Sequence, residues 1–222
     1  MKLTKRLSSC LQYTKGFSKL ADIGTDHALL PIAAVQEGFV LNALAIDNKI
    51  GPFGIALNSV KESNVSNKIK VILGDGLDKI DDQVDVVVIS GMGGSLISDI
   101  LQNHNRRFVK RFILQPNNDA EKIRAVLSAI NYYIIDELVI SENSKFYDLI
   151  ILEKGTLEYS PLELLFGPIN LKVKSHYFIL KIQKELNRLN SLLNGVKDSK
   201  RLSEIKKKIA LLEEALKWKE QI

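Results

Sequence analysis

Two carboxylates, a glycine and a histidine share one short stretch, Leu20-Ala-Asp-Ile-Gly-Thr-Asp-His-Ala28, and further signals follow at Asp47, Gly74-Asp75-Gly76 and Gly91-Met92-Gly93-Gly94. Carboxylates accept hydrogen bonds from ammonium and hydroxyl groups, and glycine lets a ligand come close to the backbone. Asp22 and Asp26 therefore suit an ammonium group or a helix cap, with Gly24 providing the sharp turn between them. Asp47, with Asn48 beside it, lies 47 − 22 = 25 residues beyond Asp22. That is close to the roughly 20-residue spacing at which nucleoside-binding βαβ units carry the acid that holds a ribose.

A dinucleotide requires a Gly-x-Gly-x-x-Gly loop, but here Gly24 is followed by Thr25, Asp26 and His27, and an acid facing a pyrophosphate is repulsive. A ligand with a cationic sulfonium and an ammonium group, S-adenosylmethionine, suits the loop better. Asp75 then accepts from an adenine amino group. Gly76 and Met92 belong to the same two loops, and Gly91 and Gly93 leave room for the sulfur and its methyl.

These residues need elements to hold them. Apolar runs over 19–23, 41–46, 70–73, 84–89 and 110–114 predict parallel strands, the first four ending at these signals. Helices are predicted over 28–36 and 119–129. In an open α/β sheet, ligands bind beyond the carboxyl ends of the strands, where these loops lie side by side. The fold class is thus α/β and Rossmann-like over 1–158.

From 159 to 222 the period becomes helical. Ile179, Ile182, Leu186, Leu189 and Leu193 keep three-four spacing, and so do Leu202, Ile205, Ile209, Leu212 and Leu216. The break around Gly195 predicts an antiparallel helical hairpin of coiled-coil type. From Ser160 onward there are 13 Lys and Arg against 7 Asp and Glu, leaving 18 against 19 in the preceding part. The hairpin is therefore the basic half, which suits either phosphate contacts with a nucleic acid or a solvated helical surface. Lys2, Lys5 and Arg6 at the start, and Arg106 and Arg107 with Lys110 and Arg111, form two more basic clusters.

At 222 residues and 45% hydrophobic, the chain can bury a substantial core. No apolar run approaches the roughly 20 residues that span a bilayer, and the amino terminus lacks a signal-peptide core, so a cytoplasmic location is expected. Cys10 is the single cysteine, which excludes an internal disulfide and a cysteine-rich zinc site; it reads as a small residue on the inner face of a helix with Leu7 and Leu11, and no metal is expected.

The chain resembles the bacterial tRNA (adenine-22-N1)-methyltransferases. The matching blocks are Asp22-Ile-Gly-Thr-Asp-His-Ala-Leu-Leu-Pro31, Gly51-Pro52 with Asn58, Gly74-Asp75-Gly76-Leu77, Gly91-Met92-Gly93-Gly94, Leu114-Gln115-Pro116-Asn117 and Lys145-Phe146-Tyr147. One departure is Leu29, where family members often carry an aromatic residue. The resemblance implies an S-adenosylmethionine-dependent methyltransferase acting on tRNA. Adenine N1 is mostly unprotonated at neutral pH, so its lone pair attacks the sulfonium methyl directly and the enzyme chiefly aligns the two.

Asp26 is then a candidate to stabilise developing positive charge or take a proton from the exocyclic amine, or else a helix cap. Gln115 and Asn117, flanking Pro116, offer amides to an adenine edge, with a polar turn as the alternative. His27 is a further base contact or a structural hydrogen-bonder, and Phe146 and Tyr147 are core residues of a late strand or an aromatic surface for tRNA. Lys172, Lys174 and Lys181, with Lys5, Arg6, Arg106 and Arg107, are candidate tRNA contacts. A monomer is expected, with a dimer through the hairpin as the alternative. A nicotinamide-dependent oxidoreductase, a noncatalytic RNA-binding protein and a methyltransferase for proteins or small molecules are the competing functions.

Overall fold

The computed structural model describes residues 3–80, 83–103, 108–193, 195 and 198–219. Five parallel strands, β1 (Lys19–Ile23), β2 (Asn42–Asp47), β3 (Ile69–Leu73), β4 (Val86–Met92) and β5 (Arg111–Pro116), are extended by an antiparallel hairpin of β6 (Tyr132–Glu142) and β7 (Lys145–Lys154). The sheet order is β3-β2-β1-β4-β5-β7-β6, with β7 antiparallel to both neighbours. The order reverses between β1 and β4, and the crevice at such a switch point is where doubly wound sheets hold their ligands.

The predicted first strand coincides with β1, and the other four differ from the observed strands by at most three residues at either end, the largest shift being at β4, which runs on to Met92. Inner strands are apolar throughout because both faces are covered: Val86, Val87, Val88 and Ile89 are all fully buried. Alternate residues supply the two cores. Ala21, Ile23, Val87, Ile89, Phe112 and Leu114 lie on one face; Leu20, Val86, Val88 and Ile113 lie on the other, where Cys10 and Leu11 of α1 (Lys5–Gln12) pack.

Helices α2 (Leu29–Gln36), α3 (Ile50–Glu62) and α4 (Gly94–Asn103) follow β1, β2 and β4. The single helix predicted over 119–129 is two short ones, α5 (Ala120–Ala125) and α6 (Leu127–Ile130). Val126 separates them as cap of both, and Asn131, at φ 57°, ends the second. The β6–β7 turn consists of Asn143 and Ser144, both at positive φ, the geometry that matches the twist of a two-residue hairpin.

The carboxyl-terminal region begins with α7 (Pro161–Phe166), closed by a capping box between Ser160 and Glu163, and α8 (Pro168–Val173). The hairpin follows as α9 (His176–Leu193) and α10 (Ser199–Lys217), the latter capped by Asp198. Lys174, just before α9, donates from Nζ to the carbonyls of Leu216 and Trp218 at 2.7 Å each, so the two helices run antiparallel. Ile182, Leu189, Ile205 and Leu212 form the seam, with Leu186, Leu193, Ile209 and Leu216 packed against it. Phe178, rather than the predicted Ile179, is the fully buried residue at its base, where it joins Val139 of β6 and Leu171 of α8. Among the described residues no helix is long and apolar enough to cross a membrane.

Candidate active site

Backbone hydrogen bonds tie the tips of β1, β2 and β3 to one another and the tip of β4 to that of β5. Gly24 and Thr25 donate to Ile46 O at 2.8 and 3.1 Å, Gly74 donates to Asp47 O at 3.0 Å, and Asn117 donates to Met92 O at 2.7 Å. Gly94 N–H reaches Asn118 O at 3.0 Å, and a Cβ on Gly94 would stand 2.1 Å from Asp119 O, so only glycine fits at the start of α4. Gly24 (φ 75°) and Gly91 (φ 82°) adopt the left-handed region that favours glycine. Met92 turns its side chain onto Gly24 and closes the gap between the β1 and β4 tips.

Asp22 is buried under this platform. Burial pushes its carboxyl up to about 6; a hydrogen bond with Thr25 acts in the opposite direction, and the charge of Asp47 adds to the rise. A negative charge held at a buried position of this kind is stabilised by a cationic ligand. Burial and the same Asp22 charge push the Cys10 thiol, 0% exposed beneath it, up to about 12, leaving it an inert packing residue. Thr25 is also buried and accepts from Ala28 N–H at 3.1 Å, holding Ala28 at φ 52° ahead of α2.

Asp47 sits at the tip of β2, is largely buried and accepts from Lys49 N–H through one carboxylate oxygen at 2.8 Å. Asn48 donates to Asp75 across the β2 and β3 loops at 3.2 Å, and both are exposed. Two large apolar side chains, Ile50 (78% exposed) and Leu73 (44%), flank the same loops and present uncovered surface suited to the face of a purine. Neither stood out in the sequence, since an apolar residue that closes a strand or opens a helix carries no local sign that it is uncovered.

Asp26 and His27 form an exposed pair, Nε2 to Oδ2 3.4 Å, on the β1–α2 loop. Asp26 makes no cap for α2: the N-cap is Ala28, with no side-chain hydrogen bond. Asn117 is exposed at the tip of β5, donates to Gly91 O at 2.6 Å and accepts from Arg6 at 3.3 Å. Gln115 is different. It is 0% exposed, its Oε1 accepts from Ser90 at 3.0 Å and Arg6 at 3.1 Å, and its Nε2 donates to Pro116 O at 2.8 Å. The expected reading of an adenine edge by Gln115 is therefore corrected: Gln115 lies within β5, where Arg6, Ser90 and Pro116 enclose its amide, whereas Asn117 stands one residue past the end of the strand and is exposed.

Three of the basic residues are likewise reassigned. The Lys174 ammonium is taken up by the carboxyl end of α10. Lys181 pairs with Asp148, whose carboxyl burial alone would raise but which Lys181 and Arg124 hold below its ordinary value. Arg6 is turned inward by Glu142, Gln115 and Asn117. Lys5 binds Glu142 through its backbone N–H and is exposed, as is Lys172. Lys2, Arg106 and Arg107 lie outside the described residues.

Beside Asn117 a cleft of about 640 Å³ opens between the β6–β7 hairpin, α5, α7 and the hairpin helices. Phe146, Tyr147, Phe166 and Phe178 give it aromatic walls; Lys145, Lys184, Arg188 and Lys208 bring cationic groups to it, Glu185 offsetting the last two. Beneath it, Arg124 (side chain 1% exposed) bonds to Glu137 (0%) at 2.7 Å and approaches Asp148 at 3.9 Å.

The sheet order with its antiparallel β7, the tied strand tips and the acids of β1 and β2 together define a Rossmann-like S-adenosylmethionine-dependent methyltransferase. A family model described as TrmK, tRNA (adenine(22)-N(1))-methyltransferase, matches residues 20–214, and the chain belongs to that family. It is 34% identical to a Bacillus subtilis tRNA (adenine(22)-N(1))-methyltransferase over 97% of this chain and 98% of that one. Among solved structures it is similar to Streptococcus pneumoniae Sp1610 in complex with S-adenosyl-L-methionine (33% identity, TM-score 0.90, 97% of this chain and 100% of that one). It is also similar to M. capricolum TrmK in complex with S-adenosyl-homocysteine (29%, TM-score 0.89, 98% and 99%).

Proposed function

We propose that this protein transfers a methyl group from S-adenosyl-L-methionine to N1 of adenine 22 in tRNA. The observation that carries the reading is the crevice at the tied strand tips, with Asp22 and Asp47 set where a cationic nucleoside donor needs acceptors. The cofactor's ribose hydroxyls go to Asp47 and its ammonium group to the electrostatic field of Asp22. The purine covers Ile50 and Leu73, with Asn48 and Asp75 at its edge.

Methyl transfer then needs alignment more than proton transfer, because the attacking N1 already carries a lone pair; orienting two bound reactants supplies roughly 7 to 11 kcal/mol of barrier reduction. Asn117 presents an amide to the acceptor purine. Asp26, exposed on the neighbouring loop, stabilises the cation that develops on the ring, and His27 borders the same opening. The target base must leave its stack, at a cost of a few kcal/mol that aromatic and edge contacts offset. The cleft beside Asn117 supplies such walls at Tyr147 and Phe146. Residues 159–222, with their excess of basic side chains, form a second functional unit that orients the tRNA against the domain of residues 1–158.

The test is direct. Unmodified tRNA transcript incubated with this protein and methyl-labelled donor should yield 1-methyladenosine at position 22 by mass-spectrometric mapping, and a transcript with guanine there should take up no label. Label at another position, or none, overturns the assignment.

A further inference from the structure

Arg6 reaches from the first turn of α1 into the gap between the β6–β7 hairpin and the tips of β4 and β5. Its Nε donates to Glu142 Oε2 at 2.8 Å, and its guanidinium carbon lies 4.4 Å from the centre of the Tyr147 ring. Nη1 is 3.1 Å from Gln115 Oε1 and 3.3 Å from Asn117 Oδ1. The side chain is only 25% exposed. An arginine that serves a phosphate carries its donors outward; here Nε and Nη1 are turned onto three protein acceptors and one face is covered by an aromatic ring.

The chemistry of the partners fixes the direction of an amide. Arg6 only donates, so the Asn117 atom that faces it is the carbonyl oxygen; the Gly91 carbonyl only accepts, so the amide nitrogen faces it, at 2.6 Å. Asn117 is thereby held from both sides, with one N–H and one lone pair left for a ligand. Gln115 is clamped in the same way between Arg6, Ser90 and Pro116. Glu142 offsets the guanidinium charge, so a purine that becomes cationic on methylation meets a paired arginine rather than an isolated one.

We propose that Arg6 is a positioning residue for methyl transfer, setting the direction in which Asn117 presents its amide to the acceptor purine. The proposal rests on the reading of Asn117 as a base contact. It assigns α1, which precedes the whole sheet in the chain, a part in the reacting geometry rather than in tRNA attraction.

The experiment is steady-state methylation of the unmodified transcript at saturating donor by the full-length protein and by Arg6→Ala, Arg6→Lys, Asn117→Ala and the Arg6→Ala/Asn117→Ala double variant. Donor affinity is measured by calorimetry. Arg6→Ala should lower kcat by about 10- to 100-fold, the scale of a small misplacement of a reacting group. KM for tRNA, its salt dependence and the donor Kd should stay within about twofold. Arg6→Lys should remain impaired, because an ammonium cannot fork between two amide oxygens and a carboxylate. The double variant should be no slower than Asn117→Ala alone.

A raised KM with intact kcat, rescued by lysine, makes Arg6 a tRNA contact and overturns the proposal, as does a double variant whose losses multiply. Should the alanine variant melt early, Arg6→Gln, which loses the guanidinium fork and its charge but keeps most of the side chain, carries the same comparison, and wild-type kcat in it overturns the proposal. Slow Asn117→Ala beside wild-type-like Arg6→Ala overturns the role of Arg6 alone, whereas wild-type kcat in Asn117→Ala removes the reading of Asn117 on which it rests.

Discussion

The terminal methyl carbon of Met92 stands 2.1 Å from the point that a Cβ on Gly24 would occupy. The β1 and β4 tips therefore meet through one flexible side chain and one glycine, within the crevice proposed to hold the methyl donor. Gly24→Ala should push Met92 into the crevice and strain a backbone held at φ 75°. Left-handed strain of this kind costs about 1–2 kcal/mol. Calorimetric titration should show donor affinity reduced about tenfold, partly recovered in Gly24→Ala/Met92→Ala, with a lower Tm in both.

Donor binding should depend on pH through Asp22. Its folded-state carboxyl lies at about 6, above the ordinary 3.8, first because it is buried and then because Asp47 is near. A raised acid stabilises the ligand-free fold fully below the unfolded value, and that stabilisation is lost as pH rises through about 6. The carboxylate form, which the cationic donor prefers, dominates above the same pH. Affinity should therefore strengthen between pH 5 and 7, while thermal stability of the ligand-free protein falls slightly. In Asp22→Asn both trends should flatten, as followed by calorimetry and melting curves across that range.

Asp47→Asn keeps an acceptor for Lys49 N–H and so preserves the loop, but removes the charge offered to the ribose. Hydrogen bonds to charged groups contribute about 1.5–3 kcal/mol. Donor Kd should rise at least tenfold, with tRNA affinity and the circular dichroism spectrum unchanged.

The buried Arg124–Glu137 pair joins α5 to β6, and Arg124 also reaches the carbonyl of Leu165 in α7 at 3.2 Å. Burial pushes the Glu137 carboxyl above its usual range even with Arg124 beside it. Arg124→Leu should destabilise the protein by about 3–5 kcal/mol, because a buried carboxylate then lacks its partner. Denaturant melts should show the Arg124→Leu/Glu137→Leu double variant to be less destabilised than the single one.

Lys145 and Lys184 stand at the rim of the cleft, with Lys184 5.7 Å from the Phe146 ring centre. The Lys145→Ala/Lys184→Ala variant should weaken tRNA binding and reduce the slope of log affinity against log salt by about 1–2, given roughly 0.7–0.9 per phosphate contact. Donor binding should be unaffected. An unchanged slope would direct the search for phosphate contacts to other basic side chains.

Five strands, the loops at their ends and the helical hairpin were legible in the sequence, because each rests on a local signal: an apolar run, a glycine or acid at its end, a three-four period. Asp47 at a strand tip is such a case, since the strand that precedes it fixes where its side chain stands. The roles of Gln115, Lys174 and Arg6 were not legible. Gln115 and Asn117 both flank Pro116, and only the packed sheet buries the first and exposes the second. Lys174 reads as one more cation until the turn of α10 brings Leu216 and Trp218 to it, 42 and 44 residues later in the chain.

Arg6 shows the same limit most clearly, with Glu142 136 positions away and Asn117 111 positions away. Backbone periodicity is determined by neighbours along the chain, so the sequence by itself set the strands, the hairpin and the acids that end β1 and β2. The destination of a long charged side chain is decided by whichever acceptors the folded chain places within its reach, and those contacts exist only once distant segments have packed together.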